Sequence, residues 1–454
     1  MKMNNTEAST KQIAAQLASF SAPLILSGIL QQLYNWVDAF VVGNVNGETA
    51  LAAVGGTTSI INFYLLAING FTLGLAILFA QRFGSGDTED YPKILSTFSV
   101  LLGGFFLAAA LTGIIFAPNL LRLMNTPEDI LALSLDYLQI IFAGIPFLAV
   151  YNVYSSALRG LGDSRTPFFA VLISSAVNVA LDILLVAVLG WNVTGAAIAT
   201  VVSQIAMTLY LVLYGSHRYS LLRARTGNGL FDRTVLASGL RLGFPPTIQS
   251  CINAFGTLIL QNFMNGFGSQ TVAAITTAYR VDSIVILPMI NLGSGISTLT
   301  AQSYGSGDSG RTKKILAVGT VLMTAVSLLM TVLVIPMGGH LIALFGASAD
   351  TVEIGNSFFR RFAVFYIFYG VANAIRGHIE GIGDVVFSSA AGITALLCRI
   401  LLSYTCVSFF GNMVIAYAEG ISWILLMFLF LIRFLWKSHR EKKQCQNHIS
   451  SHIQ

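Results

Sequence analysis

Long apolar runs broken by short polar turns make up nearly the whole chain. A helix needs about 20 mostly apolar residues to cross a bilayer. Twelve runs meet that length, at residues 13–43, 50–81, 94–117, 130–157, 166–189, 194–215, 236–265, 271–302, 314–338, 352–377, 386–409 and 412–436. Several are longer than one straight crossing requires, which implies tilt or bending. Pro23, Pro146, Pro245, Pro246 and Pro288 fall inside or beside these runs. A membrane helix accommodates such breaks where neighbouring groups satisfy the freed carbonyls. The pattern predicts an all-α integral membrane protein with twelve transmembrane helices.

The turns between the runs repeat. Ala80-Gln-Arg-Phe-Gly-Ser-Gly-Asp87 recurs as Ala301-Gln-Ser-Tyr-Gly-Ser-Gly-Asp308, a shift of 221 positions. The same shift carries Gly160-Leu-Gly-Asp163 to Gly381-Ile-Gly-Asp384, Asn152 to Asn373, Gly190 to Gly411 and Gly47 to Gly268. One constant shift across separate motifs indicates a duplicated unit. It divides the chain into an N-terminal lobe of six spans (1–215), a cytoplasmic linker (216–235), a C-terminal lobe of six spans (236–440) and a polar cytoplasmic tail (441–454). An even number of spans per half makes the repeat parallel, an arrangement typical of transporters with the substrate path between the halves.

Composition narrows the class. Hydrophobic types make up 55% of the 454 residues and charged types 10%. A soluble domain carries about 25% charged residues, so an ordinary cytosolic enzyme is excluded. The net charge of +5 is spread along the chain and is not a nucleic-acid footprint. Of the 25 lysines and arginines, only Arg122, Arg280, Arg360, Arg361 and Arg399 fall outside one alternating set of turns and termini. By the positive-inside rule that set is cytoplasmic. Both termini are then inside, and the protein is a multi-pass protein of the plasma or inner membrane. The basic C-terminal end reads as a topology determinant. The four cysteines show no disulfide or metal-ligand spacing. No cleavable signal peptide is evident. Asn4 and Asn192 begin glycosylation-type triplets, a weak pattern.

Charges inside spans are expensive and each needs a reason. Asp38 lies near the outer end of span one. Asn178 and Asp182 lie four apart on one face of span five, and Thr200 lies in span six. At about 1.5 Å per residue, Asp38 sits roughly 7 Å below the outer turn, Asp182 and Thr200 roughly 10–12 Å, and Asn178 roughly 18 Å. No Lys, Arg or His shares that depth in the first half. Two carboxylates without a base require a cation, or a proton on one of them. Oxygen ligands suit Na+, and a shared proton suits the pair equally. Gln31, Tyr34, Asn35 and Asp38 form a helical polar stripe that lines a cavity or joins helices. Asn152, Gln249, Asn253, Tyr369 and Asn373 are further cavity candidates. The second half places Arg280, Asp282, Arg399 and Glu419 at similar depth, two charges of each sign. That balance predicts a structural network. Alternatively, Asp282 or Glu419 attracts a cationic substrate.

The order of these features resembles the multidrug and toxic compound extrusion (MATE) family over about residues 12–440. The carriers are the twelve spans in two halves, Pro23 and Pro245 opening spans one and seven, and the Ala-Gln-x-x-Gly-x-Gly-Asp turns. Ala157-Leu-Arg-Gly-Leu-Gly-Asp163 and Gly195-Ala-Ala-Ile-Ala-Thr200 add to them. The resemblance implies export of amphipathic, often cationic, organic compounds in exchange for Na+ or H+ by alternating access, with a cavity between the lobes. Asp38, Asn178, Asp182 and Thr200 are similar to the cation site of its DinF-like branch. The NorM-like branch carries acids in spans seven and ten, where this chain has Gln249, Asn253, Tyr366, Tyr369 and Asn373. A flippase for a lipid-linked precursor, of related architecture, is the second reading, kept open by Arg280 and Arg399. An enzyme is not expected, for want of a nucleophile–base set. The Gly-x-Gly-Asp turns read as turn chemistry and not as protease elements, because they recur at the repeat shift. The Gly-rich turns lack the strand and lysine of a phosphate loop, so neither ATP nor another cofactor is expected. Partners are small organic substrates and the bilayer, with the monomer as functional unit.

Overall fold

A computed structural model describes residues 9–223, 231–343 and 348–452. Lys2, Asn4, Arg225 and part of the 216–235 linker lie outside the described residues. Among those described, all regular structure is helical, because a chain this apolar must satisfy its backbone internally to remain in lipid. The N-terminal half holds α1 (Thr10–Ser85), α2 (Asp90–Leu123), α3 (Glu128–Gly160), α4 (Arg165–Leu181) and α5 (Asn192–Arg218). The other half holds α6 (Arg233–Asn265), α7 (Ser269–Val285), α8 (Leu287–Gly305), α9 (Ser309–Ala343), α10 (Ala349–Phe362) and α11 (Tyr366–Gly381). It ends with α12 (Val385–Thr405), α13 (Val407–Phe410) and α14 (Val414–His452).

Ten stretches among the described residues are long and apolar enough to cross a membrane. The run at 236–265 is not one of them. Its helix, α6, carries Pro245 and Pro246 together with polar Gln249 and Asn253. The run at 352–377 is broken into α10 and α11, of 14 and 16 residues, by a 3-10 turn at Ala363–Phe365. The first two runs are separate spans, and the backbone between them leaves the helical conformation at Gly47. Residues 441–452 continue α14 as helix.

The duplication is written into the backbone. Eight glycines among the described residues have positive φ, and they form four pairs at the shift of 221: Gly47 with Gly268, Gly86 with Gly307, Gly162 with Gly383, and Gly190 with Gly411. At Gly162 and Gly383 φ is 88° in both copies, a conformation that any Cβ would strain. These glycines end helices. The N–H of Asp163 returns to the carbonyl of Leu158 at 2.9 Å, and that of Asp384 to Ile379 at 3.0 Å, the geometry of a Schellman turn. The Asp163 side chain then accepts the backbone N–H groups of Arg165 and Thr166 at the start of α4. Asp384 instead takes Arg433 and Lys437 of α14, at 2.8 and 2.9 Å. Burial raises its carboxyl, but these hydrogen bonds outweigh burial and hold it below the usual carboxylate range.

The helices form two compact units. One comprises Ser19–Cys251 with Gly305–Gly307. The other comprises described residues 9–18, 252–304 and 308–452. The chain passes from one unit to the other inside α1, after Ala18, and inside α6, after Cys251. The first turns of α6 pack tightly within the N-terminal unit: a Cβ on Gly70 or Gly74 would strike the backbone of Pro246 or Leu242. Ile13 and Leu17 of α1 belong likewise to the core of the C-terminal unit. That core is aromatic, built on Phe358, Phe362, Tyr366 and Trp423. In the N-terminal unit α3 packs on α2 and α5. Ala196, Ala197 and Ala199 of α5 are fully buried, and small side chains of this kind let helix backbones approach closely.

Candidate functional site

The N-terminal unit gathers the expected acids. After Leu181 the end of α4 changes its winding, and residues Asp182–Val188 form a π-helix. Such segments inside membrane helices are rare and concentrate at functional sites. Asp182 is its first residue and is fully buried, with Asn178 one turn before it at 1% exposure. Asp38 of α1 is half-buried, and its carboxyl group lies within hydrogen-bond reach of that of Asp182.

The polar atoms here lack conventional partners. Both carboxylate oxygens of Asp182, Oδ1 of Asp38, and Oδ1 and Nδ2 of Asn178 are buried without a hydrogen bond. Buried polar atoms are nearly always paired. Two carboxylates are acceptors only, so this pair closes only with a proton on one acid or with a cation between them. No cationic side chain among the described residues acts on either acid. Thr200 donates its hydroxyl to the Ala196 carbonyl at 3.0 Å, which leaves its oxygen lone pairs free to accept. The oxygens of Asp38, Asp182 and Asn178 suit a proton or a hard monovalent cation.

Tyrosines complete the surroundings. Tyr137 of α3, 5% exposed, is within electrostatic reach of Asp38, Asp182 and Tyr34. Tyr34 in turn is within reach of Asp38 and Tyr151. The stripe on α1 divides: Tyr34 and Asp38 are half-buried, whereas Gln31 and Asn35 are exposed. Sequence reasoning missed Tyr137, since one aromatic among many carries no signal of its own. Asn152 and Asn373, equivalent in the repeat, each bond the carbonyl four residues back, those of Leu148 and Tyr369. Gln249 is buried, and Asn253 and Tyr369 are half-buried.

The C-terminal unit holds a second cluster, with one correction. Arg399 of α12 pairs with Glu419 of α14 at 2.9 Å. The Tyr279 hydroxyl donates to Glu419 at 2.8 Å and accepts from Arg399 at 2.8 Å. Asp282 accepts the Tyr366 hydroxyl at 2.6 Å. Arg280, expected in this network, is exposed and has no ion pair among the described residues. Neighbouring residues on a helix point about 100° apart, so α7 turns Tyr279 inward and Arg280 away. The cluster thus holds one cation against two carboxylates, with tyrosine hydroxyls supplying the remaining donors.

The sequence and the fold are similar to those of known proteins. The sequence profile of the MatE family matches twice, at residues 23–184 and 245–405. "Probable multidrug resistance protein YoeA" of Bacillus subtilis is 30% identical over 448 residues, covering 93% of this chain and 94% of that one. Multidrug export protein MepA of Staphylococcus aureus is 22% identical over 384 residues, 84% of each chain. Among solved structures, an outward-facing multidrug resistance MATE family transporter superposes with a TM-score of 0.87 at 21% identity, covering 98% of this chain and 100% of that chain. A MOP superfamily transporter from Pyrococcus furiosus, described as having a binding pocket of reversed polarity, gives 0.85 at 22% identity over 96% of this chain and 98% of its own.

Proposed function

The chain belongs to the MatE family, and from that premise we propose that it is a secondary multidrug efflux antiporter. It exports amphipathic organic compounds by alternating access in exchange for Na+ or H+. The observation that carries the coupling role is the facing pair Asp38 and Asp182, with their unpartnered oxygens beside Asn178. An entering cation or proton supplies the missing positive partner, and its release recreates the repulsion between the acids. The site therefore has two states of different energy, which is what exchange transport uses. Asp38, Asn178, Asp182 and Thr200 are the coupling residues in this reading.

The absence of a carboxylate beside Gln249 and Asn253 in α6, and in the Tyr366–Asn373 stretch of α11, supports the DinF-like branch over the NorM-like one. The distribution of lysine and arginine supports both termini in the cytoplasm. The monomer is taken as the working unit.

Ethidium efflux from cells expressing the protein tests the reading, with sodium or potassium outside. Wild type should export ethidium down an inward sodium or proton gradient. Asp182→Asn should lose at least about tenfold of the rate, a barrier change of ~1.4 kcal/mol or more. Sodium-dependent export makes the ion Na+; export indifferent to sodium but abolished by an uncoupler makes it H+. A mutant as active as wild type would remove Asp182 from the mechanism.

A further inference from the structure

Arg280 is left over by the cluster beside it. Glu419 is satisfied by Arg399 and Tyr279, and Asp282 by Tyr366. A guanidinium inside a spanning helix needs a counter-charge or a water-filled cavity. Arg280 lines an open groove of about 570 Å³ on the C-terminal unit, a volume within the range of organic-ligand sites. Its α7 wall is the stripe Ser269, Ala273, Thr276 and Arg280, whose spacing of three and four residues keeps them on one helix face. Asn265, at the end of α6, also lines it. The lining offers an amide, hydroxyls and a guanidinium, and it contains no carboxylate.

We propose that this groove binds the acidic group of an amphipathic anion or zwitterion, with Arg280 as its anchor. A guanidinium forks onto a carboxylate or phosphate with two parallel hydrogen bonds. Ser269, Thr276 and Asn265 supply neutral polar contacts, and Val272 and Ala273 an apolar wall for the rest of the molecule. The inference deepens the transporter reading by naming a substrate class and rests on that reading for the ligand's being cargo. It also separates the two arginines that kept the flippase alternative open, since Arg399 is paired and Arg280 is not.

Rhodamine B, with its free carboxylate, and rhodamine B ethyl ester share one ring system and form the test pair. Fluorescence anisotropy is measured with the full chain in phosphatidylcholine nanodiscs. Wild type should bind the acid at least about tenfold more tightly than the ester, ~1.4 kcal/mol. Arg280→Gln should bring the acid to the ester's level, and Arg280→Lys should keep part of the preference. Equal or tighter ester binding by wild type overturns the proposal, as does binding of neither dye. So does an acid preference that survives Arg280→Gln in protein of unchanged elution and melting. Displacement of the acid by phosphatidylglycerol in wild type but not in Arg280→Gln keeps the site and makes its anion a lipid headgroup. An acid preference that phosphatidylglycerol leaves unchanged keeps the site and makes the anion a soluble cargo. Ethidium efflux by the same wild type separates the two readings. Export without acid preference removes only the subsite; an Arg280-dependent preference without export removes only the transporter.

Discussion

Asp38 and Asp182 gain nothing from facing each other as two bare carboxylates. At contact distance in a buried site their repulsion is only weakly screened, and Asp182 has no hydrogen-bond donor to offset it. The folded protein should therefore be stabilised by whatever positive species the pair takes up. Ligand at a hundredfold over its dissociation constant adds about 2.7 kcal/mol. The melting temperature of wild type should rise with sodium if the species is Na+, and with acidification from mildly alkaline pH if it is H+. Asp38→Asn removes one of the two charges and supplies a donor. It should melt a few degrees above wild type in sodium-free alkaline buffer, and its dependence on the ion should flatten. Wild-type melting insensitive to both sodium and pH would contradict the site. Neutral polar substitution at Asn35, which is exposed, should leave the dependence intact.

One turn of α7 decides two chemistries. Tyr279 and Asp282 enter the buried cluster while Arg280 faces the groove. The charges at 280, 282, 399 and 419 were legible in the sequence because ionised residues are rare in spans. Which of the four would join the cluster was not, since depth along an axis says nothing of rotation about it. A balanced set of four was the natural expectation, and the helix phase excludes one member. Arg399 is the consequence at this scale. Removing one partner of a buried ion pair typically costs about 3–5 kcal/mol, because the other charge remains buried and unpaired. Arg399→Ala should therefore abolish or strongly reduce the folded fraction, read as a monodisperse peak in size exclusion. The double variant with Glu419→Gln should recover most of it, because Glu419 is the acid that Arg399 contacts. Recovery with Asp282→Asn and none with Glu419→Gln would show that the pairing has been assigned to the wrong acid.

The two halves share a backbone and not a chemistry. All eight positive-φ glycines among the described residues obey the shift of 221, yet Tyr34, Asp38, Tyr137 and Asp182 map onto Phe255, Ile259, Phe358 and Ser403. In the reverse direction Asp282, Tyr366 and Glu419 map back onto Ile61, Ile145 and Ile198. Glycine turns and apolar runs are local signals, which is why helices and duplication were readable from sequence. The acids of the N-terminal unit were readable for their rarity. The π-helical turn at Asp182, the break between α10 and α11, and the unit boundary inside α6 all depend on packing against distant segments, and no local pattern announces them. Orientation depends on the whole chain, because lysine and arginine bias acts across all turns together. Thr88, in the turn before α2, and Glu128, at the start of α3, are both exposed and lie at opposite ends of one spanning helix. In a cysteine-free background, Glu128→Cys should react with an impermeant maleimide on intact cells, whereas Thr88→Cys should react only after the membrane is opened. The inverse labelling would place the termini outside and turn the basic segments outward. It would also leave the acids of the N-terminal unit near the cytoplasmic face, where an inward ion gradient would meet them last.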